Sequence, residues 1–168
     1  MNSRLNVKIL RKVTIPLYAF IDYFKGFEKV EAVKQIFKDK TEEVLLNLKV
    51  EFNSGRGYMG VSDADGHLRV SVNYLRNGDL VDIYLDVIHE LVHVRQFMDG
   101  KKLFDENFKY VDRPTEIEAY HHAVDEARNL GMNEEQILDY LRTDRRTDED
   151  LYRLAKNLNV KVEMPLRK

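Results

Sequence analysis

The sequence predicts an α+β fold in which a small twisted sheet packs on one long helix and on a second helix. Three observations predict it. Strand-like runs lie before residue 75, a long apolar helical pattern covers about 79–99, and another helical pattern begins near residue 114. The 168 residues fit a single domain. We expect its core over about 44–130, a helical N-terminal segment over 1–43 and a pair of C-terminal helices over 133–158.

The composition excludes several classes of protein. Hydrophobic residues make up 43% and charged residues 33% of the chain, which is unlike an ordinary disordered segment. The absence of cysteine excludes disulfide scaffolds, thiolate metal sites and cysteine nucleophiles. Any tight transition-metal site must therefore use histidine and carboxylate ligands. A net charge of −2 predicts no general attraction to nucleic acid, so we expect no nucleic-acid partner.

The N-terminus resembles a secretory signal, because basic residues precede an apolar run over Val13–Ile21. That run is short, contains Thr14 and Pro16, and is not followed by a small-residue cleavage pattern. We interpret it as folded structure. No stretch approaches the ~20 apolar residues that span a bilayer, so we expect a cytoplasmic protein without a membrane partner.

The first half of the chain alternates helical and strand patterns. Glu28–Lys38 has one apolar helical stripe, whereas Val44–Phe52 is rich in strand-favouring residues. Tyr58–Ser62 and His67–Tyr74 read as two strands joined by a turn at Asp63–Gly66. We therefore expect three strands here.

A long helix is predicted next, from Asp79 as its N-cap to about Asp99, with Gly100 as the stop signal. Its apolar residues surround the axis instead of forming one stripe, which is typical of a helix buried on most sides. A titratable residue within it therefore needs a specific reason.

This helix contains the pattern HExxH, formed by His89, Glu90 and His93. Histidines four residues apart project from one helix face, so both imidazoles can reach one Zn²⁺ at about 2.0–2.1 Å. The intervening glutamate can take a proton from an attacking water molecule. The alternative is a pair of core histidines bonded to backbone groups.

On these residues the chain resembles the HExxH zinc metallopeptidases, or zincins. In the metzincin branch the motif continues to a third ligand six residues after the second histidine, where this chain has Asp99. Gln96 replaces the glycine that turns the metzincin chain back towards the metal, and an unbroken helix would carry Asp99 about 9 Å further along the axis. Asp99 is therefore a weak candidate.

The gluzincin branch, including small minigluzincin-like proteases, takes its third ligand from a glutamate on a second helix, often in an E-x-x-A pattern. Glu116-x-x-Ala119 fits that pattern, and Glu118 is its rival. A helical wheel groups Glu116 with apolar residues: Ala119, Tyr120, Ala123, Val124, Ala127 and Leu130. Glu118 groups with polar residues: His121, His122, Asp125 and Arg128. A metal ligand must face inward, which favours Glu116.

Where many gluzincins have an aspartate four residues after the ligand glutamate, this chain has Tyr120. Asp82 and Asp86 precede His89 on roughly its own face and are candidates to orient it. Helix N-terminal charge is an equally good interpretation of both residues.

The resemblance implies a zincin-like fold and a zinc metalloendopeptidase acting on a protein or peptide. One catalytic Zn²⁺ would be held by His89, His93 and Glu116, with Glu90 as general base. Tyr110 or Tyr120 would donate a hydrogen bond to the transition state, as a tyrosine or histidine does in many gluzincins. The family also implies that the strand before the active-site helix, here His67–Tyr74, receives the substrate by strand addition, with Gly55, Gly57 and Gly60 shaping the rim.

Three alternatives stay open. The first is a zinc-binding regulatory or interaction domain that has a zincin fold but no useful proteolysis. The second is a DNA-binding role for the C-terminal helices, which their balanced charge disfavours. The third is a second metal site at His121 and Asp125, which the polar surroundings make less favourable than a solvated cluster.

Overall fold

A computed structural model describes residues 5–11 and 17–163. They form a mixed α+β structure with small sheets and several helices, as the sequence predicts. The chain divides into two compact units, residues 1–103 and residues 104–168. No helix in the described ranges is long and apolar enough to cross a membrane.

The first unit contains six strands and five helices in its described part. The strands are β1 (Lys8–Ile9), β2 (Leu17–Ala19), β3 (Phe24–Lys25), β4 (Lys49–Asn53), β5 (Met59–Val61) and β6 (Leu68–Ser71). The helices are α1 (Phe20–Tyr23), α2 (Glu31–Phe37), α3 (Thr41–Asn47), α4 (Val72–Asn77) and α5 (Leu80–Met98). The N-terminal segment, expected to be helical, thus also supplies strands.

The main sheet has the strand order β2-β4-β6-β5. β4 and β6 are parallel, and the outer strands β2 and β5 are antiparallel to their neighbours. β1 and β3 form a separate two-stranded ribbon. Since β6 is hydrogen-bonded on both sides, it cannot receive another strand, which corrects the expectation that this strand binds substrate. In the described sheet, β5 is the edge strand on that side.

Two predicted strands are shorter than expected because helices replace part of each. Residues 44–47 of the predicted strand Val44–Phe52 belong to α3, where Thr41, Leu45 and Leu48 are buried at helical spacing. Residues 72–74 of the predicted strand His67–Tyr74 belong to α4. Ser71 ends the strand because its hydroxyl accepts the Tyr74 N–H at 3.3 Å and so caps the helix.

The turn between β5 and β6 forms where Asp63–Gly66 predicted it. Gly66 has φ +77°, and a Cβ there would lie 2.5 Å from the ring of Phe97 on α5. Only glycine satisfies both conditions, so this residue brings the turn against the helix. α5 also packs against α2 and β5.

The core of the first unit is rich in aromatic rings. Phe20, Phe24 and Phe27 are almost fully buried, with ring centroids 5.0–6.2 Å apart. Tyr84 of α5 adds a ring 5.7 Å from Phe27. Phe20 lies in the apolar run that imitates a signal peptide, so this run contributes a buried ring to the folded core. Residues 13–16 of the run lie outside the described residues.

A histidine links the two central strands near their N-terminal ends. The His67 ring meets Glu51 of β4 through Nε2 at 2.6 Å and Asp65 through Nδ1. Hydrogen bonding to His67 holds the pKa of both carboxyls below its ordinary value. These contacts fasten β4, the turn and β6 to one another.

The described part of the second unit, up to residue 163, contains three helices and a short 3₁₀ turn over Tyr110–Asp112. The helices are α6 (Pro114–Asn129), α7 (Glu134–Leu141) and α8 (Asp148–Asn157). Asn133 and Thr147 cap α7 and α8, which confirms the predicted helix pair. Asp112 and Arg153 form an ion pair between the 3₁₀ turn and α8.

Candidate metal centre

The helix that carries the HExxH pattern forms as predicted. Asp79 caps α5 by accepting the N–H groups of Val81 and Asp82 at 2.9 and 3.1 Å. The helix ends at Met98, and Gly100 follows with φ +74°. Twelve of its nineteen residues are buried, among them all three residues of the motif.

His89, Glu90 and His93 form one buried cluster. Their side chains are close to solvent-free, with 4%, 7% and 6% of the residue surface exposed. The two Nε2 atoms lie 3.1 Å apart, and Glu90 Oε1 lies 3.9 Å from His89 Nε2. One ligand atom from each residue falls within 4.8 Å of the others, so the group could hold a metal ion.

The distance between the imidazoles fits a zinc ion. Two nitrogens bound to one tetrahedral Zn²⁺ at 2.0–2.1 Å would lie about 3.3–3.4 Å apart. The 3.1 Å separation is close to this value, so only a small shift of the rings would accommodate the ion. Neutral imidazole with carboxylate is also a donor set that zinc accepts. The chemistry and the spacing of the residues therefore both suit zinc, although they do not single it out among transition metals.

Gln96 orients one of the two histidines, a role that sequence reasoning missed. Its Oε1 atom lies 2.7 Å from His93 Nδ1, and its side chain is fully buried. An amide oxygen can only accept, so Nδ1 carries the proton and the Nε2 lone pair is left for a metal. The signal in the sequence was a polar residue three positions after a histidine, on a helix whose apolar pattern predicts burial on most sides.

Asp86, one candidate to orient His89, contacts Tyr74 of α4. It accepts a hydrogen bond from the Tyr74 hydroxyl at 2.5 Å. Burial and the charge of Asp86 raise the pKa of Tyr74 well above its ordinary range. This bond ties α4 to the first half of α5, upstream of the metal-binding turn.

Asp99 does not join the cluster. It lies just past the end of α5, is exposed, and faces Arg95 at 4.0 Å. The end of the helix thus leaves the metzincin arrangement without its third ligand, in agreement with the sequence argument.

Glu116 lies in the first turn of α6, in the second unit. It is 4% exposed and shares the buried face with Ala119, Tyr120, Ala123, Val124 and Ala127. Glu118 is only half-buried and lines a surface cavity of about 450 Å³ with Pro114, Ile117, His121, His122 and Asp125. The helical wheel therefore assigned both glutamates to the correct faces. The role of Glu116 as third ligand stays a prediction.

The two candidate donor tyrosines lie together in the second unit. The hydroxyls of Tyr110 and Tyr120 are 3.2 Å apart, and Arg146 donates to the Tyr120 hydroxyl at 3.1 Å. Tyr120 is 9% exposed, whereas Tyr110 is 43% exposed. Nothing in the sequence linked Arg146, 26 residues further on, to this pair.

Among the described residues, the only group with the proximity that a metal ion needs is His89, Glu90 and His93. The polar face of α6 does not bring His121 and Asp125 into such a group. Comparison of the chain with protein-family models, with curated proteins and with solved structures gives no match. The function must therefore be inferred from the side chains themselves.

Proposed function

We propose that this protein is a zinc-dependent metalloendopeptidase. The observation that carries the proposal is the buried convergence of two imidazole nitrogens, 3.1 Å apart, beside the carboxylate of Glu90. A histidine pair that served only the core would not need a buried carboxylate at the same point, because burying that charge is unfavourable without a function or a cation. The HExxH spacing is typical of zinc peptidases.

Different residues would bind the metal ion and transfer the proton. His89 and His93 would hold the ion through Nε2, and Gln96 keeps the His93 lone pair directed towards it. Zinc, when bound, would supply Lewis-acid stabilisation of negative charge on the substrate carbonyl. Glu90 would accept a proton from the attacking water at its carboxylate and pass it to the leaving amine.

Glu116 is proposed as the third protein ligand. Two things support it: the E-x-x-A pattern of the gluzincins and the burial of this glutamate on the apolar face of α6. A carboxylate at that position would complete a two-histidine, one-glutamate ligand set, which leaves one position for water. Tyr110 and Tyr120 are proposed to donate a hydrogen bond to the oxyanion of the transition state.

The substrate strand is proposed to bind along β5 instead of β6. In antiparallel pairing, alternate residues bond to the neighbouring strand, and Tyr58 and Ser62 are bonded to β6. The backbone groups of Met59 and Val61 therefore point to the outer edge. An extended peptide could pair with these outward groups by adding a strand to β5.

The replacement Glu90→Gln tests the proposal. We expect the zinc-loaded wild type to cleave members of a peptide library, and Glu90→Gln to lose at least ~10²-fold in rate while it keeps zinc, because it lacks only the general base. Mass spectrometry of the digest and metal analysis provide both readouts. Glu118→Gln is the matched control. Equal cleavage by wild type and Glu90→Gln would disprove the assignment.

One observation favours a non-proteolytic zinc-binding regulatory domain as the second candidate. All three side chains of the cluster are buried, and structural zinc sites are closed, whereas catalytic sites keep an open position. In the same experiment, bound zinc without cleavage by either protein would favour this candidate.

A further inference from the structure

Arg146 lies beside both tyrosines in the second unit. Its guanidinium carbon is 5.8 Å from the ring centroid of Tyr110 and 5.6 Å from that of Tyr120. The two rings meet edge to face, with centroids 6.5 Å apart. Arg146 also donates to the carbonyl of Leu141, which fixes the guanidinium from a second direction.

The chemistry of arginine sets the direction of the hydrogen bonds. A guanidinium has five donors and no acceptor, so the Tyr120 oxygen must accept from Arg146. A phenol that accepts from a cation becomes a stronger donor, because each bond in such a chain polarises the next. Tyr120 is buried and 3.2 Å from the hydroxyl of Tyr110, so its strengthened O–H is within donating distance of the more exposed phenol.

We propose that Arg146 is a positioning residue that polarises the chain Arg146 to Tyr120 to Tyr110, and that Tyr110 is the terminal hydrogen-bond donor. This inference rests on the proposed peptidase function and separates two tyrosines that the sequence left equivalent. Tyr120 relays the effect of the cation, and Tyr110 donates to the substrate oxyanion. No proton is transferred along the chain; its members only hold and strengthen one hydrogen bond.

Other charged and titratable groups near these three side chains act less directly on the Tyr120 hydroxyl. Arg113 lies 5.8 Å from the ring centroid of Tyr110, where it adds positive charge at the ring face instead of at the hydroxyl. Tyr140 of α7 interacts electrostatically with Arg146. Asp112, in the same 3₁₀ turn as Tyr110, is ion-paired with Arg153. Arg146 is the cation that bonds the Tyr120 hydroxyl directly, so its removal is the sharpest perturbation.

The first test follows the phenols in the metal-free protein and needs no activity. The chain is labelled with 3-fluorotyrosine and titrated by ¹⁹F NMR, with Tyr110→Phe and Tyr120→Phe used for assignment. We expect Arg146→Met to raise the Tyr120 pKa by about one pH unit or more, as loss of a contacting cation does, and the Tyr110 pKa by less. Arg146→Lys should keep most of the effect, and Arg145→Met is the matched control. Unchanged pKa values in a folded Arg146→Met protein would overturn the proposal.

A second variant covers the case in which Arg146→Met fails to fold. Tyr120→Phe keeps Arg146 but removes the hydroxyl that links it to Tyr110. We therefore expect the Tyr110 pKa to rise in that variant. A Tyr110 pKa equal to that of the wild type would contradict the relay through Tyr120.

The second test measures peptide cleavage. Loss of a transition-state donor typically lowers kcat by ~10²–10³-fold, so we expect Tyr110→Phe to fall in that range and Arg146→Met to lose at least tenfold, with KM changed less. Arg146→Lys should restore part of the loss, and Arg145→Met should retain full activity. A normal kcat for Arg146→Met would overturn the catalytic role. An inactive wild type would overturn that role together with the proposed function. The NMR titration would still decide whether Arg146 polarises Tyr120 and Tyr110.

Discussion

The protonation of one ring nitrogen decides which nitrogen of His93 can bind a metal ion. Nδ1 is committed to Gln96 at 2.7 Å, so Nε2 is the nitrogen that carries the lone pair. The Gln96 amide that makes this contact is fully buried. The residue therefore matters to the site without touching the ion.

Gln96→Leu should weaken zinc binding by about 10–100-fold, the usual effect of removing the partner of a ligating histidine. Leucine fills similar volume, so the core should survive. Competition against a chromophoric chelator gives the affinity, and ¹⁵N shifts of His93 give the tautomer. Gln96→Glu keeps an acceptor and should retain zinc, and Gln35→Leu on an exposed face of α2 is the control. A Gln96→Leu protein with the affinity and tautomer of the wild type would refute this role.

The two glutamates of α6 give the second prediction at the residue scale. Glu116→Gln should lower zinc affinity at least ~100-fold, more than the loss of a ligand's hydrogen-bond partner does. Glu118→Gln should leave it unchanged, because that side chain lies on the half-buried polar face. Chelator competition measures both variants. If Glu118→Gln lowered the zinc affinity and Glu116→Gln did not, the assignment from the helical wheel would be wrong.

At the scale of elements, the position of β5 matters more than that of β6. β6 uses its backbone groups on both sides, so only the outer side of β5 is left for a peptide on that half of the described sheet. The Met59 N–H points outward in this pairing, and proline is tolerated at the first residue of an edge strand.

Met59→Pro should therefore raise KM for a peptide substrate while kcat changes little, because it removes one backbone donor from the outer edge and none from the sheet. Steady-state kinetics with one cleaved peptide measure both parameters. Met59→Ala controls for the lost side chain. If Met59→Pro left KM at the value of Met59→Ala, substrate would not bind along this strand.

The elements that sequence predicted well are those with strong local signals. The N-cap Asp79 and the stop at Gly100 fixed α5 closely, and Asn133 and Thr147 did so for the C-terminal helices. The errors at residues 44–47 and 72–74 arose where β-favouring residues such as Val44 and Val72 lie in helices. Tertiary burial overrides such weak preferences.

The candidate site was likewise predictable only where its residues lie close together in the sequence. HExxH fixes its own geometry, because residues four apart on a helix share a face. The partnership of Tyr120 with Arg146 spans 26 residues, and no periodic pattern encodes a contact of that kind. The role of Gln96 is not predictable from the metzincin comparison, in which this position shows only that a glycine is missing.

At the scale of the whole molecule, the chain builds two compact units, and its only described group with metal-binding proximity lies in the first. Most buried side chains there are apolar, and Glu90 is the one buried carboxylate among the described residues of that unit. A bound cation would compensate for the cost of burying it, because it supplies the opposite charge where the carboxylate is buried.

The most direct test is isothermal titration of the metal-free protein with Zn²⁺. We predict one tight site per chain in the wild type, no tight site in His93→Ala, and a normal site in His122→Ala, the matched control from the polar face of α6. A wild type that binds no zinc, or a His93→Ala protein that binds it as tightly as the wild type, would contradict the account.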